Sequence, residues 1–166
     1  MAAYFSPFAR FERQQAQNGR AGWLPADLVA PDVLARLHLH LRAGPQAAGE
    51  GRHALDRLDG TLDPDQLSEL RLLVTELLTN SVRHGATDGE WITLDVEIDG
   101  NTVRVVVTDR GPGFVPADRP EPHPDRPGGW GLCLVDSLAD RWGVDTADAT
   151  SVWFELDRDG SFAAAA

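Results

Sequence analysis

The segment that decides the fold of this chain is TELLTNSVRHG, residues 75–85. On a helix, residues four apart are offset by about 40° and residues seven apart by about 20°. Within an arc of about 100°, one side of the segment therefore carries the polar residues Glu76, Asn80, Arg83 and His84. The opposite side has the apolar spacing of a helix that packs on a core, with Leu67, Leu70, Val74, Leu77 and Leu78. The polar side is either an ordinary solvated face or a functional site. The helix alone does not distinguish these interpretations, and the rest of the chain is needed.

Length and composition describe a single soluble domain of ordinary make-up. With 166 residues, 42% of them hydrophobic, the chain can bury about two-thirds of its unfolded surface. The formal net charge of −11 argues against a direct nucleic-acid partner, because nucleic acids select basic surfaces. All fifteen basic residues are arginine, so the lysine of a P-loop nucleotide site is absent.

The single cysteine, Cys133, excludes an internal disulfide and a cysteine-rich metal cluster. In its context GLCLV we expect it to act as a small buried hydrophobic residue. The amino terminus has no apolar signal core, and no apolar run reaches membrane-spanning length. We therefore expect a cytoplasmic protein without a membrane partner.

Three regions are predicted along the chain. Residues 1–35 form an amino-terminal extension in which prolines and glycines interrupt any long helix, and part of it is expected to be disordered. Its aromatic segment YFSPFARF either docks on a partner, docks on the domain itself or has no specific contact. Residues 36–158 form the folded domain, and residues 159–166 form a loose tail.

The folded domain begins with RLHLHLR, residues 36–42, which alternates strictly and predicts a strand. Its three leucines lie on one face, and His38 and His40 are then neighbours on the other face. Two histidines in this arrangement either bind a metal ion or lie on a solvated strand face. The alternation alone does not distinguish these interpretations.

Two helices are predicted after this strand. The first covers residues 45–58, where two glycines weaken it. The second begins after Asp63, which has the position of an N-cap, with Pro64 in the first turn. This second helix runs to His84, and Gly85 supplies the stop.

The remaining elements complete a layered α+β pattern. Two alternating strands, residues 91–98 and 102–109, flank the hairpin dipeptide Asp99-Gly100. Residues 126–142 contain a glycine-rich loop and then an amphipathic helix through Leu132, Val135, Leu138 and Ala139. The segments VDTA and SVWFEL provide two closing strands. This order predicts a two-layer α/β sandwich in which a mixed, mostly antiparallel sheet has its helices on one face.

The strand 102–109 ends in DRGPGF, residues 109–114. A proline–glycine turn after an edge strand has this composition. The same residues also suit a base-binding site, because a carboxylate accepts a hydrogen bond from an exocyclic amine such as that of adenine. Glycines without a Cβ let a flat ring approach the backbone closely. Both interpretations stay open for this segment taken alone.

The stretch FVPADRPEPHPDRP, residues 114–127, contains five prolines and predicts a semi-stiff extended loop. Loops of this length in a compact domain are usually lids, binding loops or disordered segments. It leads into GGWG, residues 128–131, at the start of a helix. Backbone N–H groups at such a start attract anions, typically phosphate.

The three segments in this order resemble the GHKL superfamily of ATP-binding domains, which includes gyrase and sensor histidine kinases. TELLTNSVRHG matches its N box, DRGPGF its G1 box and GGWGLCLV its G2 box, and the resemblance covers about residues 36–157. The superfamily implies a Bergerat-type ATP-binding fold. The N box ending in Arg-His-Gly and the short lid are most similar to the bacterial anti-sigma factor serine/threonine kinases.

This resemblance implies a role for each matching residue. Glu76 is the general base toward the attacking hydroxyl, Asn80 holds Mg²⁺, and Asp109 binds the adenine amine. Arg83 and His84 lie near the phosphates, where Arg83 either neutralises charge or faces solvent. The other implied nucleotide contacts are Gly111 and Gly113 around the ring, Gly129, Gly131 and Leu132 around the phosphates, and Ser151 near the base.

The activity implied by the resemblance is ATP- and Mg²⁺-dependent phosphorylation of a small antagonist protein, combined with sequestration of a sigma factor. A homodimer is a further expectation. The alternative is a non-catalytic ATP-binding module that regulates a partner by docking. Glu76 favours the kinase, whereas Trp130 stands between the G2 glycines where related kinases often have a basic or small polar residue. An indole cannot neutralise phosphate charge, so Trp130 keeps the docking module open.

Overall fold

The computed structural model of the chain describes residues 33–114 and 131–158. The strands are β1 (Ala35–Arg42), β2 (Trp91–Ile98), β3 (Thr102–Asp109), β4 (Arg141–Asp145) and β5 (Thr150–Asp157). The helices are α1 (Ala47–Ala54), α2 (Pro64–Asn80) and α3 (Gly131–Leu138). A 3₁₀ turn (Leu55–Leu58) follows α1, and a π turn (Ser81–Gly85) follows α2. The predictions for the extension, the proline-rich loop and the tail lie outside the described residues.

The five strands form one sheet in the order β1-β2-β3-β5-β4. Every neighbouring pair is antiparallel, so the described sheet is entirely antiparallel where a mixed sheet was predicted. Alternate residues of each strand pack against the helices, which lie on one face of the sheet. The α+β two-layer sandwich is confirmed. No helix in the two described ranges is long and apolar enough to cross a bilayer.

Helix α2 supplies the largest part of the helical layer. The side chain of Asp63 accepts hydrogen bonds from the backbone N–H groups of Asp65 and Gln66, both at 2.9 Å, which confirms the predicted N-cap. The buried residues of α2 are Leu67, Leu70, Leu73, Val74, Leu77 and Leu78. They recur at helical spacing and place the opposite, polar side of α2 away from the core.

Helix α1 lies against α2 at a glycine. A Cβ added at Gly51 would stand 2.2 Å from Leu78 Cδ1 and 3.5 Å from Leu41 Cδ1. The glycine that weakens α1 in isolation therefore permits its close approach to α2 and β1. The helix is shorter than predicted, since it begins at Ala47 and gives way to the 3₁₀ turn after Ala54.

The hairpin between β2 and β3 forms where the sequence predicts it. The carboxylate of Asp99 accepts hydrogen bonds from the N–H groups of Asn101 at 2.8 Å and Thr102 at 2.7 Å. This local capping of the turn is the reason that aspartate is favoured there. On the first strand, His38 and His40 lie on the face away from the helices, as predicted.

The carboxyl-terminal part of the sheet corrects one prediction. Helix α3 ends at Leu138, and Trp142, predicted to be helical, lies in β4 opposite Phe154. Ion pairs favour the strand: Arg141 Nε stands 2.6 Å from a Glu155 carboxylate oxygen, and its Nη2 contacts Asp157. These partners lie on β5, the next strand of the chain, so the hairpin with β5 overrides the helical pattern.

Candidate functional site

A cavity of about 290 Å³ opens between the end of α2, the end of β3 and the start of α3. This volume lies at the small end of the range for small-molecule sites, about 300–1,000 Å³. All three sequence segments that resemble the GHKL boxes contribute to it. Its lining consists of Leu77, Asn80, Ser81, His84, Gly85, Asp109, Gly113, Phe114, Leu132, Thr150 and Val152.

The π turn brings the end of α2 onto β3. After Asn80 the helix widens, and the N–H of Ala86 donates to the carbonyl of Ser81 at 2.8 Å, five residues back. Single π turns within helices are often found at functional sites. Here the wider turn places Gly85 so close to β3 that an added Cβ would stand 2.2 Å from Asp109 Oδ2. The sequence predicts a helix stop at Gly85, and the widened turn is additional.

Asp109 is the buried carboxylate of the cavity, with 4% of the residue exposed. Its Oδ1 accepts a hydrogen bond from the N–H of Gly111 at 2.8 Å. A Cβ at Gly111 would stand 2.4 Å from Gly85 Cα, so the two glycine backbones are in direct contact. A carboxylate has about four lone-pair positions, and burial favours filling them. Asp109 therefore suits a ligand that donates N–H, such as the amine of adenine.

The turn after Asp109 continues the cavity wall. Gly113 has φ of 75°, which requires glycine in this turn. Phe114 follows it, lines the cavity and is 40% exposed. An aromatic side chain beside a buried acceptor provides an apolar surface for a flat ring. Phe114 is the last residue of the DRGPGF segment and is not among the predicted nucleotide contacts.

Glu76 and Asn80 meet the first residue of α3. A Cβ at Gly131 would stand 2.6 Å from Asn80 Nδ2 and 3.1 Å from Glu76 Oε2. The two polar side chains therefore lie beside a helix start, whose N–H groups and positive dipole attract anions. A phosphate group at this position would find positive potential from α3 and a hard oxygen ligand on Asn80 for its metal.

The described residues fit a magnesium ion that is held mainly by water and phosphate. They contain no group of three His, Cys, Asp or Glu side chains arranged around a common metal position. Mg²⁺ usually keeps several waters and takes only one or two protein ligands beside a nucleotide. The Asn80 amide oxygen satisfies that requirement without an acidic cluster.

One of the predicted contacts, Ser151, does not line the cavity. The hydroxyl of Ser151 hydrogen-bonds that of Thr108 at 2.8 Å, and neither residue lines the cavity. Thr150, the preceding residue, pairs with Asp109 across the ladder, lines the cavity and donates to the carbonyl of Gly111 at 3.1 Å. The hydroxyl that lines the cavity beside Asp109 is therefore that of Thr150, not that of Ser151.

Some of the remaining predicted residues line the cavity and others do not. His84, Gly113 and Leu132 line the cavity, whereas Arg83 is exposed and is not part of its lining. Gly111 and Gly131 support the wall through the close contacts given above. The predicted contacts of Gly129, and the position of Trp130, lie outside the described residues.

Several named proteins are similar to this chain in sequence. The chain is 31% identical over 94 residues to an anti-sigma F factor of Pasteuria penetrans, covering 51% of this chain and 61% of that protein. It is 25% identical over 118 residues to the serine-protein kinase RsbW of Oceanobacillus iheyensis, covering 63% and 75%. An anti-sigma F factor of Anoxybacillus flavithermus is 30% identical over 82 residues, covering 47% and 56%. The chain thus spans less than two-thirds of either anti-sigma F factor.

Among solved structures, the RsbU and RsbW domains of a Mycobacterium tuberculosis protein match with a TM-score of 0.57 and 24% sequence identity. The match covers 75% of this chain and 32% of that one, and at this identity it concerns the fold alone. Residues 41–155, more than half of the chain, match the family model described as the histidine kinase-like ATPase domain. The chain therefore belongs to the histidine kinase-like ATPase domain family.

Proposed function

We propose that the protein is an ATP- and Mg²⁺-dependent serine/threonine protein kinase that also sequesters a sigma factor. Its substrate would be a small antagonist protein that competes for the same partner. The names of the relatives, anti-sigma F factor and serine-protein kinase RsbW, support this choice of partner and reaction. Such a kinase would act in the cytoplasm, where its partners occur.

One observation carries the catalytic part of the proposal. Glu76 and Asn80 converge on Gly131, so a carboxylate and a side-chain amide lie together at the start of α3. A docking module needs the nucleotide contacts but has no use for a carboxylate at this position. Glu76 therefore favours the kinase over the non-catalytic alternative.

Each group in the cavity has a role in this reaction. Asp109 accepts the adenine amine, and Thr150 and Phe114 bound the same end of the cavity. Asn80 would hold the metal, and Glu76, one helical turn before it, would take the proton of the attacking serine hydroxyl. When bound, ATP supplies the phosphoryl group and Mg²⁺ offsets its charge. The N–H groups at the start of α3 orient the phosphates without needing a lysine.

The test of this proposal is the Glu76→Gln variant. The amide preserves the shape of the side chain but cannot accept the proton, so phosphoryl transfer should fall by about 10²–10⁴-fold. ATP affinity and capture of the sigma factor should be retained. The measurements are phosphate incorporation into candidate antagonist proteins, calorimetric ATP binding and pull-down of the sigma factor.

The matched control is Glu69→Gln. Glu69 lies on α2, seven residues before Glu76 and on the same side of the helix, and it is not among the atoms nearest to a Cβ at Gly131, where Glu76 and Asn80 are. Its substitution should leave transfer unchanged. If the wild-type protein captures a sigma factor but transfers phosphate to no antagonist, the docking module replaces the kinase. The expected homodimer is a separate proposal, which light scattering of the purified protein tests.

A further inference from the structure

A second polar cluster lies on the sheet face opposite the helices, away from the cavity. Its members are His38 and His40 on β1 and Asp95 on β2, where Asp95 is the ladder partner of His38. The His38 Nε2 and His40 Nε2 atoms are 3.0 Å apart. The rings meet edge to face, at an interplanar angle of 85°. Two ring nitrogens therefore point at each other on an accessible surface.

Asp95 determines which nitrogen of His38 is available. Its Oδ1 atom lies 2.5 Å from His38 Nδ1, and its side chain is only 9% exposed. A carboxylate at that distance favours the tautomer with the proton on Nδ1, in which the lone pair of His38 Nε2 accepts a hydrogen bond from His40 Nε2–H. Histidines that bind metals almost always have such a carboxylate or carbonyl on their other nitrogen. Asp95 therefore gives His38 the tautomer and the fixed orientation of a metal ligand.

The separation of the two nitrogens suits coordination to one ion. For metal–nitrogen bonds of 2.0–2.1 Å, two ligands at a right angle stand about 2.9 Å apart, and two at a tetrahedral angle about 3.3 Å. The observed 3.0 Å is closest to the right angle. Right-angled nitrogen ligands are typical of Cu²⁺ and Ni²⁺, whereas Zn²⁺ prefers the tetrahedron.

The neighbouring charges do not occupy these nitrogens. On one side, Arg36 Nε is 2.7 Å from a Glu97 carboxylate oxygen, so its charge is offset. On the other side, the guanidinium of Arg42 lies 3.9 Å over the Trp91 ring and donates to the carbonyl of Gly89. His40 also contacts Trp91, through its ring at 6.1 Å between centroids. The two Nε2 atoms hydrogen-bond each other, so a bound ion would displace the proton between them, and the carboxylate of Asp95 offsets part of an incoming positive charge.

From this geometry we infer that His38 and His40 bind a first-row transition-metal dication through their Nε2 atoms. Asp95 positions His38 through its other ring nitrogen, and water fills the remaining ligand positions because only two protein donors converge. The order of affinity should be Cu²⁺ above Ni²⁺ and Zn²⁺, and Mg²⁺ should not bind, since imidazole suits the later transition metals. The site is independent of the proposed nucleotide site.

The test is a calorimetric titration of the full chain, without any histidine tag, with Cu²⁺, Ni²⁺, Zn²⁺ and Mg²⁺ salts. We expect one site that follows the predicted order of metals. His38→Ala and His40→Ala should each weaken Ni²⁺ binding at least tenfold. Asp95→Asn should weaken it by about 10–100-fold, the usual effect of removing the carboxylate behind a histidine ligand. Imidazole NMR signals should broaden on addition of Cu²⁺ only for the two ligands.

His53→Ala is the matched control. His53 Nδ1 also lies 3.0 Å from an aspartate oxygen, that of Asp56, and its side chain is 88% exposed. It is outside the cluster, so its loss should leave the titration unchanged. Wild-type Ni²⁺ binding in folded His38→Ala or His40→Ala, or loss of binding only in His53→Ala, would overturn the inference. Wild-type ATP affinity in His40→Ala would show that its loss of metal binding does not come from a change in the nucleotide site.

Discussion

Replacing Gly85 by alanine should remove the adenine contact without a direct change to any ligand-binding atom. The new Cβ would stand 2.2 Å from Asp109 Oδ2 and 2.4 Å from its Cγ, well inside ordinary van der Waals contact. Gly85 does not have a positive φ, so the alanine meets a steric rather than a conformational obstacle. The carboxylate has to rotate away, because the added Cβ would lie within 2.4 Å of three of its atoms.

The expected magnitude follows from the bonds that this rotation breaks. Asp109 Oδ1 loses the N–H of Gly111 at 2.8 Å, and the bound base loses a charged acceptor. A hydrogen bond to a charged group contributes about 1.5–3 kcal/mol. If that contribution is lost to ATP and ADP alike, both dissociation constants rise by about 10–150-fold. Asp109→Asn should weaken both nucleotides by a similar amount, since it removes the same charge.

Calorimetric titration of ATP and ADP measures this effect, and thermal unfolding confirms that the variant is folded. Gly49→Ala is the control, because a Cβ at Gly49 in α1 meets nothing within 4 Å. It should leave affinity unchanged and stabilise the helix by about 0.5–1 kcal/mol. The double variant Gly85→Ala/Asp109→Asn should bind nucleotide about as tightly as the single variant with the lower affinity, because both substitutions act on one carboxylate. A folded Gly85→Ala protein with wild-type affinity would refute the reasoning.

Three further predictions concern the metal, the closing strand and pH. Asn80→Ala should abolish the Mg²⁺ dependence of ATP binding more than it alters adenosine affinity; an unchanged magnesium titration would remove Asn80 as a ligand. Thr150→Val should weaken ADP binding by about 2–10-fold through one lost hydrogen bond, and Ser151→Ala should not; titrations with the opposite ranking would return Ser151 to the site. Burial of Glu69 raises the pKa of its carboxyl above 4.5, and the negative charge of Asp140 raises it further. The Glu69 carboxyl therefore holds its proton more tightly in the folded state than in the unfolded state. Its contribution to the free energy of unfolding is fully present below pH 4.5 and is lost as pH rises through the raised pKa. Glu69→Gln should flatten the fall in melting temperature above pH 4.5; an unaltered pH profile would contradict this.

The features that the sequence predicts best depend on neighbours along the chain. The N-cap at Asp63 and the turn at Asp99 each need a carboxylate and N–H groups two or three residues away. The polar side of α2 follows from helical period alone, which is why the sequence by itself places Glu76 beside Asn80. Local chemistry of this kind does not depend on which strands become partners.

The hydroxyl groups of Thr150 and Ser151 show the limit of prediction from local sequence. Side chains alternate between the two faces of a strand, so an error of one residue moves a contact to the other face. Thr150 faces the cavity because it pairs with Asp109, and Ser151 faces away with Thr108. The sequence contains both residues side by side, but the register between β3 and β5 is a non-local property. Trp142 differs in this respect, since its strand pairs with β5, the next strand of the chain.

The π turn at Ser81–Gly85 makes the cavity sensitive to the number of residues in the chain as well as to their identity. Deleting one residue there would let α2 continue with regular i→i−4 bonds and rotate every following residue by about 100°. Gly85 would then turn away from Asp109, and the wall between α2 and β3 would open although each side chain was still present. Substitution at the exposed position Arg83 changes one group, whereas a deletion beside it displaces the whole turn. Relatives that differ in length at this turn should therefore differ in nucleotide affinity more than relatives that differ there in sequence.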